Sequence, residues 1–261
     1  LGKVRAKKHL GQHFLKDPSI AEQTADAFGV NNNFKFCLEI GPGMGILTEA
    51  LVKRSDLDVH VIDIDRESIE FLSQNEVLED EKIIEGDFLQ LDLQELSNGQ
   101  KMGIIGNFPY NISTQILFKL YEHRDHVLEL VGMFQKEVAE RVVSPPGSKV
   151  YGITSVLLQA FFDVEYLFTI DEDEFDPPPK VKSAVIRLKR NQTNELGCDV
   201  KLFKKIVKAA FNQRRKTLKN GIKAFTPEGT SFSNPELLSK RPEQLSVADF
   251  VQICSDIEAM S

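Results

Sequence analysis

The stretch Phe36-Cys37-Leu38-Glu39-Ile40-Gly41-Pro42-Gly43-Met44-Gly45 decides the fold. Its first five residues are an apolar run of strand length, and glycines at alternate positions lead from it into a helical pattern that lasts to about Lys53. A buried strand that turns sharply into a helix opens a parallel α/β unit. Glycines at such a turn let the backbone bend tightly and approach a ligand, and ligands bind at the carboxyl ends of these strands. The spacing is G-x-G-x-G, whereas dinucleotide sites use G-x-G-x-x-G, and Ile46 stands in the place of the last glycine. Taken alone, the loop is also compatible with a plain tight turn.

Working outward, the same alternation continues. Asp17-Pro18 is an N-cap followed by a first-turn proline, opening a helix to about Phe28. Further strands are expected at 59–63, 82–85, 102–106, 127–134, 164–170 and 184–188, separated by helical or turn segments, which implies a mostly parallel sheet covered on both faces. After Arg190 the pattern changes: 191–197 is a polar linker, and helices are expected at 199–211, 214–225 and from a Ser246 cap to about Ile257. The sequence therefore predicts a domain over 1–190, with a basic N-terminal arm, and a helical domain over 197–261.

Composition narrows the class. The 261 residues, 41% hydrophobic and 27% charged, are those of an ordinary globular chain. Cys37, Cys198 and Cys254 are odd in number and far apart, so neither a disulfide framework nor a zinc site is suggested. His123 and His126 read as part of a surface turn, and no metal site is expected. No apolar run reaches the length of a membrane span, and Gly11-Gln12-His13 follows the basic N-terminus where a signal peptide would be apolar. A cytoplasmic protein with no membrane partner is the expectation.

Two acids follow the glycine loop at strand ends. Asp63 lies 18 residues past Gly45, where a carboxylate can accept both hydroxyls of a ribose, with Asp65 as a competitor. Asp87 ends the next strand, where it can accept an adenine amino hydrogen. Strand-end acids also commonly cap the following helix. Together with the loop they describe a pocket for an adenosine without a diphosphate. The fourth strand ends in Gly106-Asn107-Phe108-Pro109-Tyr110, a pattern of the [NDS]-x-P-[YF] type suited to methyl transfer onto an amino group conjugated with a ring. Such a nitrogen is a weak nucleophile because its lone pair is delocalised. The Asn107 side-chain oxygen and the Pro109 carbonyl can accept its two N–H bonds and favour a pyramidal transition state. Pro109 restricts the residue before it, and Tyr110 offers a stacking face.

These stretches, with Leu10-Gly-Gln12-His13-Phe14-Leu15, Gln135-Lys-Glu-Val138, 175–185 (FDPPPKVKSAV) and 210–217 (AFNQRRKT), resemble the KsgA-type small-subunit ribosomal RNA adenine dimethyltransferases over essentially the whole chain. The resemblance implies a Rossmann-like class I methyltransferase with a mostly parallel seven-stranded sheet and a small all-helical C-terminal domain. It implies S-adenosyl-L-methionine as cofactor, closed over by His13 and Leu15. Gly41 and Gly43 would meet its amino-acid part, Asp63 the ribose, Asp87 the adenine, and Asn107 both cofactor and target. Phe175 would sandwich the target adenine opposite Tyr110, and Lys7, Lys8, Arg141, Arg214, Arg215 and Lys216 would contact RNA. The implied product is N6,N6-dimethyladenine at two adjacent adenines in a hairpin loop near the 3′ end of small-subunit rRNA. The implied partner is the immature small ribosomal subunit, met by a monomer. The chain departs from the family in having His13 for Asn, Asp63 for Glu and Phe108 for Leu, and in the acidic run 171–174, read here as a solvated loop. A large-subunit adenine methyltransferase shares the N-x-P-Y site, but the 210–217 segment and the helical tail favour the small-subunit enzyme. A nicotinamide oxidoreductase is disfavoured by the glycine spacing. A non-catalytic assembly factor would tolerate loss of Asn107 and Tyr110, and both are present.

The net charge of -7 first argues against nucleic acid, yet it is unevenly distributed. Residues 3–16 hold five Lys/Arg and 201–223 hold nine, with no acid in either stretch, so the remainder carries -21. Two basic surfaces on an acidic body are the expectation.

Overall fold

The computed structural model describes residues 4–30 and 33–259; Lys3, one of the expected basic residues, lies outside them. In chain order the elements begin with β1 (Phe14–Leu15), α1 (Pro18–Asp26), β2 (Phe36–Ile40), α2 (Ile46–Val52), β3 (Asp58–Asp63) and α3 (Arg66–Gln74). There follow β4 (Ile83–Glu85), α4 (Leu93–Leu96), β5 (Met102–Asn107), α5 (Ser113–Glu122) and β6 (Val127–Gln135). The remainder are α6 (Lys136–Val143), α7 (Ile153–Gln159), β7 (Phe162–Ile170), β8 (Phe175–Asp176), β9 (Ser183–Arg190), α8 (Val200–Asn212), α9 (Leu218–Gly221) and α10 (Val247–Glu258).

Seven strands form one sheet in the order β4-β3-β2-β5-β6-β9-β7. The pairs from β4 through β6 are parallel, and β6 meets β9 antiparallel. Every residue of β2 is buried, as expected of a central strand covered on both faces. Ala21, Ala25 and Phe28 from the α1 region and Leu47 and Leu51 from α2 pack with Cys37, Val59, Ile105 and Val131 of the sheet. The direction of strand order reverses between β2 and β5, and a crevice opens at such a point outside the carboxyl ends of the strands. The seven strands lie where the sequence places them, within two residues at most ends.

The chain divides into two compact units. The first holds the residues up to Ala139 together with Glu165–Arg190; the second holds Glu140–Val164 and the residues from Asn191 on. The boundary after Arg190 coincides with the polar linker, but Glu140–Val164, placed in the first domain by the sequence reading, packs with the helical unit. There Phe203, Ile206 and Val207 of α8 and Phe250, Ile253 and Ile257 of α10 are buried, and Phe211 bridges the Tyr151 and Phe250 rings at 6.1 and 6.0 Å. Capping fixes both long helices: Asp199 accepts from Leu202 N at 2.6 Å, and Ser246 accepts from Asp249 N at 3.1 Å. The helix expected over 214–225 is instead a turn, the short α9 and a 3₁₀ turn at Lys223–Phe225. His126, expected in a surface turn, is buried and bonded to Ser97 Oγ at 2.8 Å.

Candidate active site

The site is built at the reversal between β2 and β5. Gly41, Gly43 and Gly45 all take positive φ, +69°, +57° and +84°, a region L side chains enter only with strain. A β-carbon at Gly43 would lie 2.7 Å from the ring of Phe14, so the loop and the N-terminal arm fit against each other only with glycine there. Gly41 N donates to Ile62 O at 2.9 Å, which ties the loop to the end of β3.

A cavity of about 160 Å³ opens beside this loop and is lined by His13, Gly41, Gly43, Asp63, Asp87, Asn107, Pro109 and Tyr110 among others. A second, of about 270 Å³, shares Phe14, Gly41 and Asn107 with it and reaches Leu15 and Glu39. Of the residues expected at the cofactor, all therefore line one cavity or the other. Burial pushes the Asp63 carboxyl up to about 6, while backbone N–H groups of Asp65, Gly43 and Ile64 pull the other way. Burial likewise raises Glu39 to about 8, against a hydrogen bond from Thr48 Oγ1 at 2.7 Å.

Asp63 and Asp65 differ in their surroundings. Asp65 caps α3 by accepting from Glu67 N, and it also takes bonds from Lys7 Nζ and, at 2.8 Å, Gln12 Nε2. Its side chain is fully buried by these partners and does not reach the cavity. Asp63 does, and it accepts from backbone N–H groups, that of Asp65 at 2.9 Å among them. A carboxylate facing a small cavity suits a ligand that presents hydroxyl donors. Asp87 also lines the cavity, and its Oδ1 accepts from Leu89 N at 2.9 Å. Donor chemistry and cradle thus fit an S-adenosyl group.

Asn107 ends β5, and its Nδ2 donates to the carbonyl of His13 at 2.7 Å. A carbonyl can only accept, so this bond fixes which way the amide faces and leaves Oδ1 as an acceptor at the cavity. Pro109 O accepts from Ile112 N at 3.1 Å and retains one lone pair. Phe108, between them, is buried under Gly132 and packs edge-on to Phe134 at 5.0 Å, so the departure from Leu is absorbed in the core. Tyr110 bonds through its hydroxyl to Ser183 Oγ and stacks on the His13 ring at 5.1 Å.

Phe175, expected to sandwich the target adenine opposite Tyr110, opens β8. It is 1% exposed and packs in the hydrophobic core with Leu15, its partner across the β1–β8 ladder, and does not line the cavity of Tyr110. The ring facing Tyr110 is that of His13, whose Nδ1 bonds Pro177 O at 2.7 Å. Two contributors were not singled out in the sequence: Gln12, which lies in the quoted 10–15 motif, and Lys119, for which periodicity gives no signal on an amphipathic helix.

A family model described as ribosomal RNA adenine dimethylase matches residues 3–258. The chain belongs to the ribosomal RNA adenine dimethylase family. This dimethylase is 55% identical to a protein of Cytophaga hutchinsonii named ribosomal RNA small subunit methyltransferase A, over 96% of each chain. Its structure is similar to that of a dimethyladenosine transferase from Plasmodium falciparum, with a TM-score of 0.78 and 25% identity over 92% of this chain and 96% of that one. The fold alone is shared with the 23S rRNA methyltransferase ErmE, with a TM-score of 0.67 and 21% identity over 94% of this chain and 99% of that one. The sheet is thus the Rossmann-like sheet of class I methyltransferases.

The residues expected to meet RNA fall into two groups in the dimethylase. Lys8, Arg215 and Lys216 are exposed. Lys7 is instead engaged by Asp65 and, at 3.2 Å, by Glu67, which raises its pKa. Arg214 donates through Nη2 to Lys149 O and stands 3.8 Å from Glu243. Arg141 is half-buried on α6, where its carbonyl accepts from Ser155 Oγ. The acidic run 171–174 forms a turn whose Asp171 accepts from Lys182 Nζ at 2.6 Å. Among the described residues no cluster of His, Cys, Asp and Glu could hold a metal ion, and no helix is long and apolar enough to cross a membrane.

Proposed function

We propose that this chain is an rRNA adenine N6,N6-dimethyltransferase. It uses S-adenosyl-L-methionine to dimethylate two adjacent adenines in a hairpin loop near the 3′ end of small-subunit (16S) rRNA. Its setting is the cytoplasm, where it acts as a monomer on the immature small subunit. The observation that carries this reading is the Asn107 amide, whose Nδ2 is held by the His13 carbonyl, in a residue that lines one cavity with Pro109 and Tyr110.

Asp63 would hold the ribose hydroxyls, Asp87 the adenine amino group and Gly41 and Gly43 the amino-acid part, with His13 and Leu15 over it. Bound there, S-adenosyl-L-methionine supplies a methyl group already activated as a sulfonium substituent. Asn107 Oδ1 and Pro109 O accept the two N–H bonds of the target amino group and draw its lone pair out of conjugation. Tyr110 orients the base by stacking, and its hydroxyl is held by Ser183. Because these acceptors act mainly on the pyramidal nitrogen, they lower the barrier more than they tighten binding.

The test is tritiated methyl incorporation into undermethylated small subunits, followed by mapping of the modified bases. Asn107→Ala is expected to slow turnover by about 10²- to 10³-fold, with S-adenosylhomocysteine and RNA affinities within a few fold of wild type. Wild-type turnover by this variant refutes the mechanism, and label outside adjacent adenines refutes the substrate.

A further inference from the structure

Asp87 stands on weak foundations if only the sheet is considered. The strand before it, β4, has three residues, lies at the sheet edge and is partly exposed throughout. The turn after it, Phe88–Gln90, is a single 3₁₀ turn. Beneath that turn lies Lys119 of α5, only 8% exposed. Its Nζ donates to Phe88 O at 2.6 Å, Leu89 O at 3.2 Å and Leu91 O at 2.6 Å, and stands 4.8 Å from the centre of the Phe88 ring.

An ammonium has three N–H bonds, and here each has a carbonyl. A buried lysine is tolerated only when its charge is compensated, and bonds from an ionised donor are about twice as strong as neutral ones. Three carbonyls converging on one cation cannot be reproduced by a neutral side chain of similar size. Burial pulls the Lys119 pKa below the usual lysine value, and Asp87, Asp92 and Glu122 oppose that pull. Asp87 and Leu89, at either side of the first clasped carbonyl, both line the cavity.

We infer that Lys119 is a positioning residue for cofactor recognition. Its ammonium gathers the carbonyls of the turn after Asp87 and so sets the Asp87 carboxylate and the Leu89 side chain where they read an adenine ring. This inference rests on the reading of Asp87 as the adenine acceptor. It touches neither the ribose acid nor the methyl-transfer residues.

The test measures binding of S-adenosylhomocysteine and of S-inosylhomocysteine, which lacks the amino group, to the same preparation of the full chain by calorimetry. Wild type is expected to prefer the adenosyl ligand. Lys119→Met is expected to reduce that preference at least fivefold by weakening the adenosyl ligand, and Lys119→Arg, which keeps a cation, to restore part of it. A variant that is merely less folded loses both ligands in proportion and keeps the ratio. An unchanged ratio in Lys119→Met therefore overturns the inference. Asp87→Asn separates the two readings: if it also leaves the ratio unchanged, the adenine role of Asp87 itself falls, and if it alone collapses the ratio, only the positioning role of Lys119 falls.

Discussion

Burial raises the pKa of the Asp63 carboxyl to about 6, and with Asp63 at the ribose this makes cofactor affinity a function of pH. The hydroxyls of a ribose donate to the ionised form, so binding is expected to be flat above pH 7 and to weaken about tenfold per unit below pH 6. The free protein responds in the opposite sense: a raised folded pKa means that the folded state holds the proton more tightly, so this group's contribution to stability declines as pH rises from about 4 to 6 and is constant above. Calorimetry with S-adenosylhomocysteine from pH 5 to 8 checks the first statement. Asp63→Asn should flatten the profile, and a flat wild-type profile would remove Asp63 from the ribose. The sequence puts Asp63 at the strand end, with Asp65 two residues on as a competitor. What distinguishes their surroundings is Lys7 and Gln12, 58 and 53 positions from Asp65 in sequence, and only the folded chain brings that pair to Asp65 and leaves Asp63 lining the cavity. Asn107, by contrast, is legible in advance because its motif is local.

The strand pairing of the N-terminal arm is what the sequence conceals. β1 and β8 are two residues each, too short for any periodicity, and their antiparallel pairing joins segments more than 150 residues apart. The buried central strands, each an apolar run ending in a chemical signal, are read within two residues because burial on both faces dictates their composition. The helix misread over 214–225 is interrupted: residues 213–216 turn, and only Leu218–Gly221 is helical before the 3₁₀ turn at Lys223–Phe225. The arm is pinned over the cavity by Lys7 and Gln12 on Asp65, by Asn107 on His13 O and by Asn111 on His9 O at 3.2 Å. Lys7→Ala combined with Gln12→Ala is expected to weaken S-adenosylhomocysteine about fivefold, roughly 1 kcal/mol for two partly buried bonds, and to speed tryptic cleavage at Lys8. The salt dependence of RNA binding should not change, since Lys7 faces carboxylates. A fall of nearly one unit in that slope would return Lys7 to a phosphate.

At the scale of the whole molecule, charge is segregated along the chain. The polar linker after Arg190 announces one boundary, while Glu140–Val164 joins the helical unit from inside a run of alternating elements, where composition does not change. Nine basic residues and no acid between 201 and 223 sit in a chain whose net charge is -7. Arg215 and Lys216 are exposed in the turn after α8, whereas Arg214 is held by Lys149 O and Glu243. Counterion release makes each neutralised phosphate worth about 0.7 to 0.9 log units of affinity per log unit of salt. Arg215→Glu with Lys216→Glu is therefore expected to lower RNA affinity and to reduce the slope by about 1.4 to 1.8 if each side chain meets one phosphate. S-adenosylhomocysteine affinity should be unchanged, because neither residue lines the cofactor cavity. Filter binding of the rRNA fragment between 50 and 200 mM salt supplies both quantities. Unchanged affinity and slope would make the second basic stretch a solvated face. A reduced slope with unchanged cofactor binding separates holding the RNA from performing the transfer.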